Sequence, residues 1–457
     1  MKIKSYRLVL RDLIPRLLIF VLYPFAALFI SINARPAQDD YSSLSSLSHS
    51  AWNEVALSHW NLWGGNIITS LIATVSNAIR TSSFLFLGLL IHSFLTLLLF
   101  GISALILCKW VGIDFFRSSI LSQCFIVLSW FLSIVSIHSP AFPGMFSFAW
   151  ASTGHLWPVM FLIIFLELAE KRLNSFSFIF FIFGILICNF NVTEGFASLI
   201  VIGLRYYQKS SLPHQKFRFM LGNHLWLLFG GIIGFLLIIL APGFNRRREV
   251  VGNDYSAFEF MAQLFKASIT LLGDVILHPG WLIGLILGVL SAKRFTSLKC
   301  KRFDHDLFLI LLVFPSLLFC LTVFGGAAAY VSWYQTMGIY LFYFPLSFRL
   351  GTWIGSKITG SPRRPLLNRL SFILVFSLPI LLLSRDLIEL VSRSKSWDSA
   401  YEVNYCKILS GENDNLIGAS ILYPPLNLGI SDIDTRPWMK DLYVNWIQNS
   451  ENSNIKC

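Results

Sequence analysis

Residues 17–41 read LLIFVLYPFAALFISINARPAQDDY, an apolar run from Leu17 to Ile32 followed closely by a paired carboxylate, Asp39 and Asp40, and then Tyr41. The run approaches the roughly 20 residues a helix needs to cross ~30 Å of hydrocarbon. Lys2, Lys4, Arg7, Arg11 and Arg16 precede it, and it lacks a small-x-small cleavage site, so it reads as an uncleaved first span that starts in the cytoplasm. The two carboxylates then stand at the outer mouth of a membrane bundle rather than inside it. There a carboxylate can take a proton from a hydroxyl, hold a divalent cation, cap a following helix or simply be solvated.

The rest of the chain has the same character. Of its 457 residues 55% are hydrophobic and only 13% charged, with a mean hydropathy of +0.66, too apolar for soluble cores of ordinary size. The formal charge of +12 does not indicate nucleic acid, because the basic residues lie in short links between apolar runs, as the positive-inside rule requires. No CxxC or Cys/His spacing occurs among Cys108, Cys124, Cys188, Cys300, Cys320, Cys406 and Cys457, so no zinc or redox motif is present. The expected fold is all-α, a polytopic membrane protein of about eleven transmembrane helices, with residues 1–384 as the transmembrane domain and 385–457 as a small extracytoplasmic C-terminal region.

The first outer loop, 34–82, mixes Trp52, Trp60 and Trp63 with Leu57, Leu62, Ile67, Ile68 and Leu71, a composition suited to a helix in the membrane interface. Spans are expected over Ser83–Leu107, Ser119–Ile137 and Trp150–Leu168. Two shorter apolar pieces follow, Phe176–Cys188 and Gly195–Leu204, with the polar turn Asn189-Phe-Asn-Val-Thr-Glu194 between them. Such paired half-helices are tolerated where protein or a water-filled cavity covers the exposed backbone. The next span, Gly222–Leu240, is expected to stop at Pro242 and Gly243, leaving Arg246, Arg247 and Arg248 outside, against the orientation signal. An outer segment Tyr255–Leu277 reads as a helix along the interface, and Pro279–Leu290 returns inward to Lys293 and Arg294. Leu307–Phe324, Met337–Gly355 and Leu370–Ser384 complete the count. An odd number of spans puts the C-terminus outside, where Cys406 and Cys457 share an oxidising compartment in which a disulfide can form.

A span, an Asp-Asp at the start of a long outer loop and Trp-bearing amphipathic helices together resemble the GT-C glycosyltransferase superfamily. More narrowly, Asp39-Asp40-Tyr41, Trp60-x-x-Trp-Gly-Gly-Asn66, Thr153-Gly-His-Leu-Trp-Pro158, Ala241-Pro-Gly-Phe-Asn-Arg246 and Tyr423-Pro-Pro-Leu426 are similar to bacterial GT-C-like proteins near the serotype-converting O-antigen glucosyltransferases. The match is spread over most of the chain, and only the order and sidedness of the motifs carry weight. In that group a basic residue is expected after Trp-x-Gly, where this chain has Asn66.

The resemblance implies a cell-envelope enzyme of the bacterial inner membrane that takes a sugar from a polyprenyl-phosphate carrier on the outer side and passes it to a glycan or lipid-linked acceptor. A companion flippase and carrier synthase would supply the donor. Asp39 and Asp40 are the candidate catalytic carboxylates. Tyr41, Trp60, Asn66, His155, Trp157, Glu194, Asn245, Arg246, Arg247 and Arg248 are the candidate substrate and donor-phosphate contacts. Asp39 and Asp40 could also hold Mg2+ or Mn2+, though no third ligand can be assigned. Each candidate has a plainer reading: a satisfied hydrogen-bonding histidine, a turn carboxylate, interface-belt tryptophans, arginines on anionic headgroups. Two other functions stay open, a transporter or flippase of lipid-linked sugars, and an O-antigen polymerase or ligase.

Overall fold

The computed structural model describes residues 46–47, 49–81, 85–118, 123, 126, 152–170, 177–210, 218–251, 256–292, 305–324 and 337–357, and, nearer the C-terminus, 381, 399–400, 402–412, 441, 444–445 and 447–448. Asp39, Asp40 and Tyr41 lie outside them, as do the expected spans Leu17–Ile32 and Leu370–Ser384 and most of Ser119–Ile137. The described residues form an all-helical protein: α1 (Trp52–His59), α2 (Ile67–Thr81), α3 (Leu85–Trp110), α4 (Trp157–Ala169), α5 (Ser177–Asn189), α6 (Val192–Ser210), α7 (Arg218–Ile239), α8 (Pro242–Val251), α9 (Ala257–Leu277), α10 (Pro279–Ala292), α11 (His305–Phe324) and α12 (Met337–Lys357). Single π turns, Trp60–Gly64 and Ser152–Leu156, precede α2 and α4. Among the described residues one helix meets the length and hydropathy needed to cross a bilayer, Gly222–Ile239 in α7, and several shorter helices are equally apolar.

Two helix pairs are held by glycine. Gly184 on α5 and Gly230 and Gly234 on α7 let the backbones touch: a Cβ on Gly230 would sit 2.0 Å from the Phe181 carbonyl oxygen, and one on Gly234 2.4 Å from that of Ile185. The same device joins α10 to α12, where a Cβ on Gly288 would be 2.1 Å from the Phe348 oxygen and one on Gly351 2.1 Å from that of Leu285. In both pairs the residue numbers rise together, so the helices are parallel. Small residues of this kind allow the backbone approach that favours helix association in lipid.

Around an apolar core, several helices also bury polar side chains and expose apolar ones. Helix α2 buries Thr69, Ser70, Ala73 and Thr74 but exposes Leu71 and Val75. Helix α3 buries His92, Thr96 and Ser103 beside Leu97, Phe100 and Leu107 and exposes Phe94, Leu95, Leu98 and Ile102; α7 buries Asn223, His224, Gly230, Gly231 and Gly234 and exposes Phe229, Ile233, Leu236 and Leu237. A soluble protein seldom exposes so continuous an apolar surface.

The ends of the helices carry the polar groups, in two layers. At one end Glu167 on α4 accepts hydrogen bonds from Lys109 Nζ and, at 3.0 Å, from Trp110 Nε1 at the end of α3. One residue past α4, Glu170 receives Arg205 Nη2 at 2.7 Å and Lys209 Nζ at 2.8 Å from α6, and His224 Nε2 at 3.3 Å from α7. Gln208 Nε2 donates to the Asp306 carbonyl at 3.3 Å and so brings the start of α11 to the same layer. Burial raises the pKa of the Glu170 carboxyl, but the His224 hydrogen bond and the Arg205 and Lys209 charges outweigh it and bring it from an ordinary 4.5 to about 2. These contacts fix the directions: α3, α4 and α6 end in this layer, α7 and α11 begin in it.

In the C-terminal region residues 402–409 are helical, with Asn404, Tyr405 and Ile408 buried. Cys406 is disulfide-bonded, whereas Cys188 and Cys320 are free thiols.

Candidate functional site

The opposite layer is built from four stretches far apart in sequence. The first is the turn from Trp60 to Thr69. Gly65 has φ 70°, and a Cβ there would lie 2.7 Å from the Ile238 oxygen and 2.9 Å from the Ala241 Cβ, so glycine is required both for the left-handed backbone and for the approach to the α7–α8 corner. Asn66 folds its side chain back over Gly64, where a Cβ would meet Asn66 Oδ1 at 2.1 Å. Past it, Ile68 N donates to Asn189 Oδ1 (3.1 Å) and Thr69 Oγ1 to the Phe190 oxygen (2.5 Å), tying the start of α2 to the turn between α5 and α6.

That turn is the second stretch. Asn189 Nδ2 donates to the Gly234 oxygen at 3.1 Å. Asn191 Oδ1 accepts from Thr193 N at 3.3 Å and so caps α6. A Cβ on Gly195 would stand 2.4 Å from the Cys188 oxygen, which makes the hairpin tight. The sequence reading placed Glu194 in the connecting polar turn. The structure corrects this: only Phe190 and Asn191 connect the helices, and Glu194 lies in the first turn of α6, fully buried. The cap moves the helix start to Val192, ahead of the apolar run that marked it in sequence.

The third stretch is the π turn before α4. His155 Nδ1 lies 2.6 Å from Glu194 Oε1, with 13% of the imidazole and none of the carboxylate exposed. In the tautomer that carries its proton on Nδ1, the imidazole donates to this carboxylate oxygen. Asn191 Nδ2 is 3.4 and 3.5 Å from the two ring nitrogens. Gly154 brings the turn against Thr69 Cγ2 and Asn191 Nδ2, at 3.6 and 3.8 Å from a built Cβ. Glu194 Oε2 has no hydrogen-bond partner among the described residues, and neither do Trp60 Nε1 or Asn66 Oδ1, all three buried atoms. Trp157, by contrast, is committed to the bundle: its Nε1–H donates to Thr96 Oγ1 at 3.0 Å and its ring stacks on His92 with centroids 5.6 Å apart.

The fourth stretch bears out one expectation and extends it. Helix α7 ends at Ile239, just before Pro242 and Gly243, but Pro242 also occupies the first turn of a new helix, α8, which contains Asn245, Arg246, Arg247 and Arg248. Proline suits that position because the missing N–H would be unpaired there anyway. Helix α8 packs on the Trp60–Gly64 turn. Asn245 and Arg246 are exposed, and Arg246 makes no ion pair among the described residues.

The structure thus brings Trp60, Asn66, His155, Glu194, Asn245 and Arg246 to one end of the bundle. What sequence reasoning missed there is the supporting set, Thr69, Asn189 and Asn191, whose role depends on contacts across more than a hundred positions, such as the one from Ile68 to Asn189. No group of three or more His, Cys, Asp or Glu side chains able to hold a metal ion occurs among the described residues. No family model, curated protein or solved structure matches the chain.

Proposed function

We propose that the chain is a polytopic membrane glycosyltransferase that moves a sugar from a polyprenyl-phosphate donor to a glycan or lipid-linked acceptor on the outer side of a bacterial inner membrane. The observation that carries the reading is the convergence of four dispersed stretches, Trp60–Thr69, Thr153–His155, Asn189–Glu194 and Ala241–Arg246, on one end of the bundle around a buried His–Glu pair. Three of them are among the motifs on which the GT-C resemblance rests.

The membrane setting is supported by the exposed apolar helix faces, the glycine contacts and the layer spacing. From His155 to Glu170 along α4 is fifteen residues, about 22 Å of helix, so the polar layers at its two ends bracket an apolar slab that is most of the ~30 Å of a bilayer core. Lys109, Arg205 and Lys209 in the Glu170 layer suit the cytoplasmic side, while Arg246, Arg247 and Arg248 at the other end run against that signal and call for an anionic partner. A disulfide at Cys406 suits an oxidising compartment and hence a C-terminal region outside. About eleven spans with the N-terminus inside agree with both.

In this reading Asp39 or Asp40 accepts the proton of the acceptor hydroxyl as its oxygen bonds to the anomeric carbon. The bond from that carbon to the phosphate oxygen breaks, and the lipid phosphate leaves as an anion that arginines of α8 stabilise through their forked donors. His155, oriented by Glu194, presents its ring at the mouth as a further polar contact. The test is sugar transfer by the purified chain in proteoliposomes, offered a panel of polyprenyl-phosphate hexoses and pentoses. Transfer that falls about 10²- to 10⁴-fold in Asp39→Asn or Asp40→Asn is expected. Movement of the donor across the bilayer with no transfer would replace the reading with a flippase.

A further inference from the structure

Helix α9 has three faces rather than two. At about 100° per residue, Phe260, Leu264, Ala267, Leu271 and Val275 fall in one sector, and these pack against the core. Glu259, Gln263, Lys266 and Thr270 fall in a second, of which Glu259, Lys266 and Thr270 are exposed. Phe258, Met261, Phe265, Ile269 and Leu272 fall in a third and are all exposed, Phe258 at 83% and Phe265 at 70%. The mean directions of the sectors stand about 120° apart. A helix on a water-soluble protein needs an apolar and a polar face; a third, apolar and uncovered, needs a third environment.

The path of the chain decides what that environment is. Helix α8 begins in the layer that holds His155 and Glu194. Helix α10, which follows α9 directly, also begins there: it runs parallel to α12, whose start at Gly338 lies against Val159 at the His155 end of α4. An upright α9 would need the polar α8 and four further residues to cross to the other layer first, and would leave Glu259 and Lys266 in hydrocarbon. A helix lying along the rim needs neither. Ser256 and Glu259 start it with a reciprocal cap, Glu259 N to Ser256 Oγ at 3.3 Å and Ser256 N to Glu259 Oε2 at 2.9 Å. Both groups are exposed, as suits a helix end in water.

We propose that α9 lies in the plane of the outer membrane surface beside the site, with one face on the bundle, Glu259, Lys266 and Thr270 toward water, and Phe258, Met261, Phe265, Ile269 and Leu272 among lipid acyl chains. The occupant of the uncovered face is lipid rather than a protein partner because helices on other parts of the bundle, α3 and α7, expose apolar side chains of the same kind, as a common surrounding solvent requires. The proposal rests on the membrane part of the function above and not on sugar transfer. It gives the site a lipid-immersed shelf on which a polyprenyl chain could lie.

The test places nitroxide labels on the full chain in liposomes, in a Cys320→Ser background. Phe265→Cys and Ile269→Cys report the apolar sector, Lys266→Cys and Thr270→Cys the polar one, Ala267→Cys the core. Power saturation then compares collisions with oxygen, which concentrates in acyl chains, and with a water-soluble nickel chelate. Oxygen should dominate at 265 and 269, nickel at 266 and 270, and neither should reach 267. Nickel access at 265 and 269 would put the stripe in water, and protection from both reagents would put protein on it; either overturns the proposal. Nickel exclusion at 266 and 270 would mean an upright span and overturns it as well. All these outcomes are read whether or not the chain transfers sugar, so a failed transfer assay leaves the result standing.

Discussion

Replacing Glu170 with Gln should destabilise the bundle by about 3 kcal/mol at neutral pH, because the carboxylate is the shared anion for Arg205, Lys209 and His224. The figure follows from the fall of its pKa from 4.5 to about 2 at roughly 1.4 kcal/mol per unit, and is an upper value for a carboxylate that keeps some contact with water. Removing one partner also strands Arg205, of which only 3% is exposed, and breaking a buried pair costs about 3–5 kcal/mol. The pH dependence has a definite sign. Because the folded carboxyl is the stronger acid, its contribution is complete above about pH 4.5 and is lost as pH falls toward 2. The assay is the temperature at which half the detergent-solubilised protein survives as a monodisperse species on size exclusion, taken from pH 7 downward. The wild type should exceed Glu170→Gln by several degrees at pH 7 and 5, and the gap should close below pH 4. A gap that is absent at pH 7, or that does not change with acid, would refute the assignment of Glu170 as the anion that gathers α4, α6 and α7.

Gly230→Leu and Gly288→Leu should each abolish folded protein, since even a Cβ would meet carbonyl oxygens at 2.0 and 2.1 Å; Gly222→Ala, with nothing near its Cβ, is the matched control, and fluorescence-detected size exclusion of the three reads the outcome. Glu194→Gln keeps the shape of the buried side chain but removes the charge that holds His155, so it should lower transfer strongly while leaving yield and melting temperature nearly unchanged; equal losses of fold and activity would make the pair structural. Arg246→Gln should weaken donor use, with Arg246→Lys restoring only part of it, because lysine keeps the charge without the bidentate fork. Silence in both Arg246 variants would remove that residue from the donor contacts.

Much of the helical architecture was legible because long apolar runs between basic links are a blunt signal. Runs of apolar residues between basic links outlined α3, α7, α11 and α12 to within a few residues, and the interrupted stretch around Asn189–Glu194 announced the α5–α6 hairpin. Pro242 marked the end of α7 correctly, but proline also starts helices, and the polar run beyond it gave no apolar pattern to announce α8. The glycines of α7 and α10 stand in the sequence as Gly230-Gly231-x-x-Gly234 and as Gly280, Gly284 and Gly288 at intervals of four, a spacing that signals close helix contact without naming the partner helix. His155 and Glu194 stood out separately, yet nothing in a span of 39 positions says that their side chains meet. The Glu170 cluster was invisible for the same reason: its members look like ordinary charges at helix ends until α4, α6 and α7 are packed side by side.

The proposed function depends on which end of the bundle meets the outer solution. Asn245→Cys reports the end that holds His155 and Glu194, and Ser210→Cys the end that holds Glu170; both positions are exposed. Each goes into the Cys320→Ser background, and intact cells are treated with a membrane-impermeant maleimide before and after permeabilisation. Labelling of residue 245 in intact cells, with residue 210 labelled only after permeabilisation, is the expected result. The reverse pattern would place the His155–Glu194 site in the cytoplasm, away from any outward-facing lipid-linked donor, and contradict the proposed function.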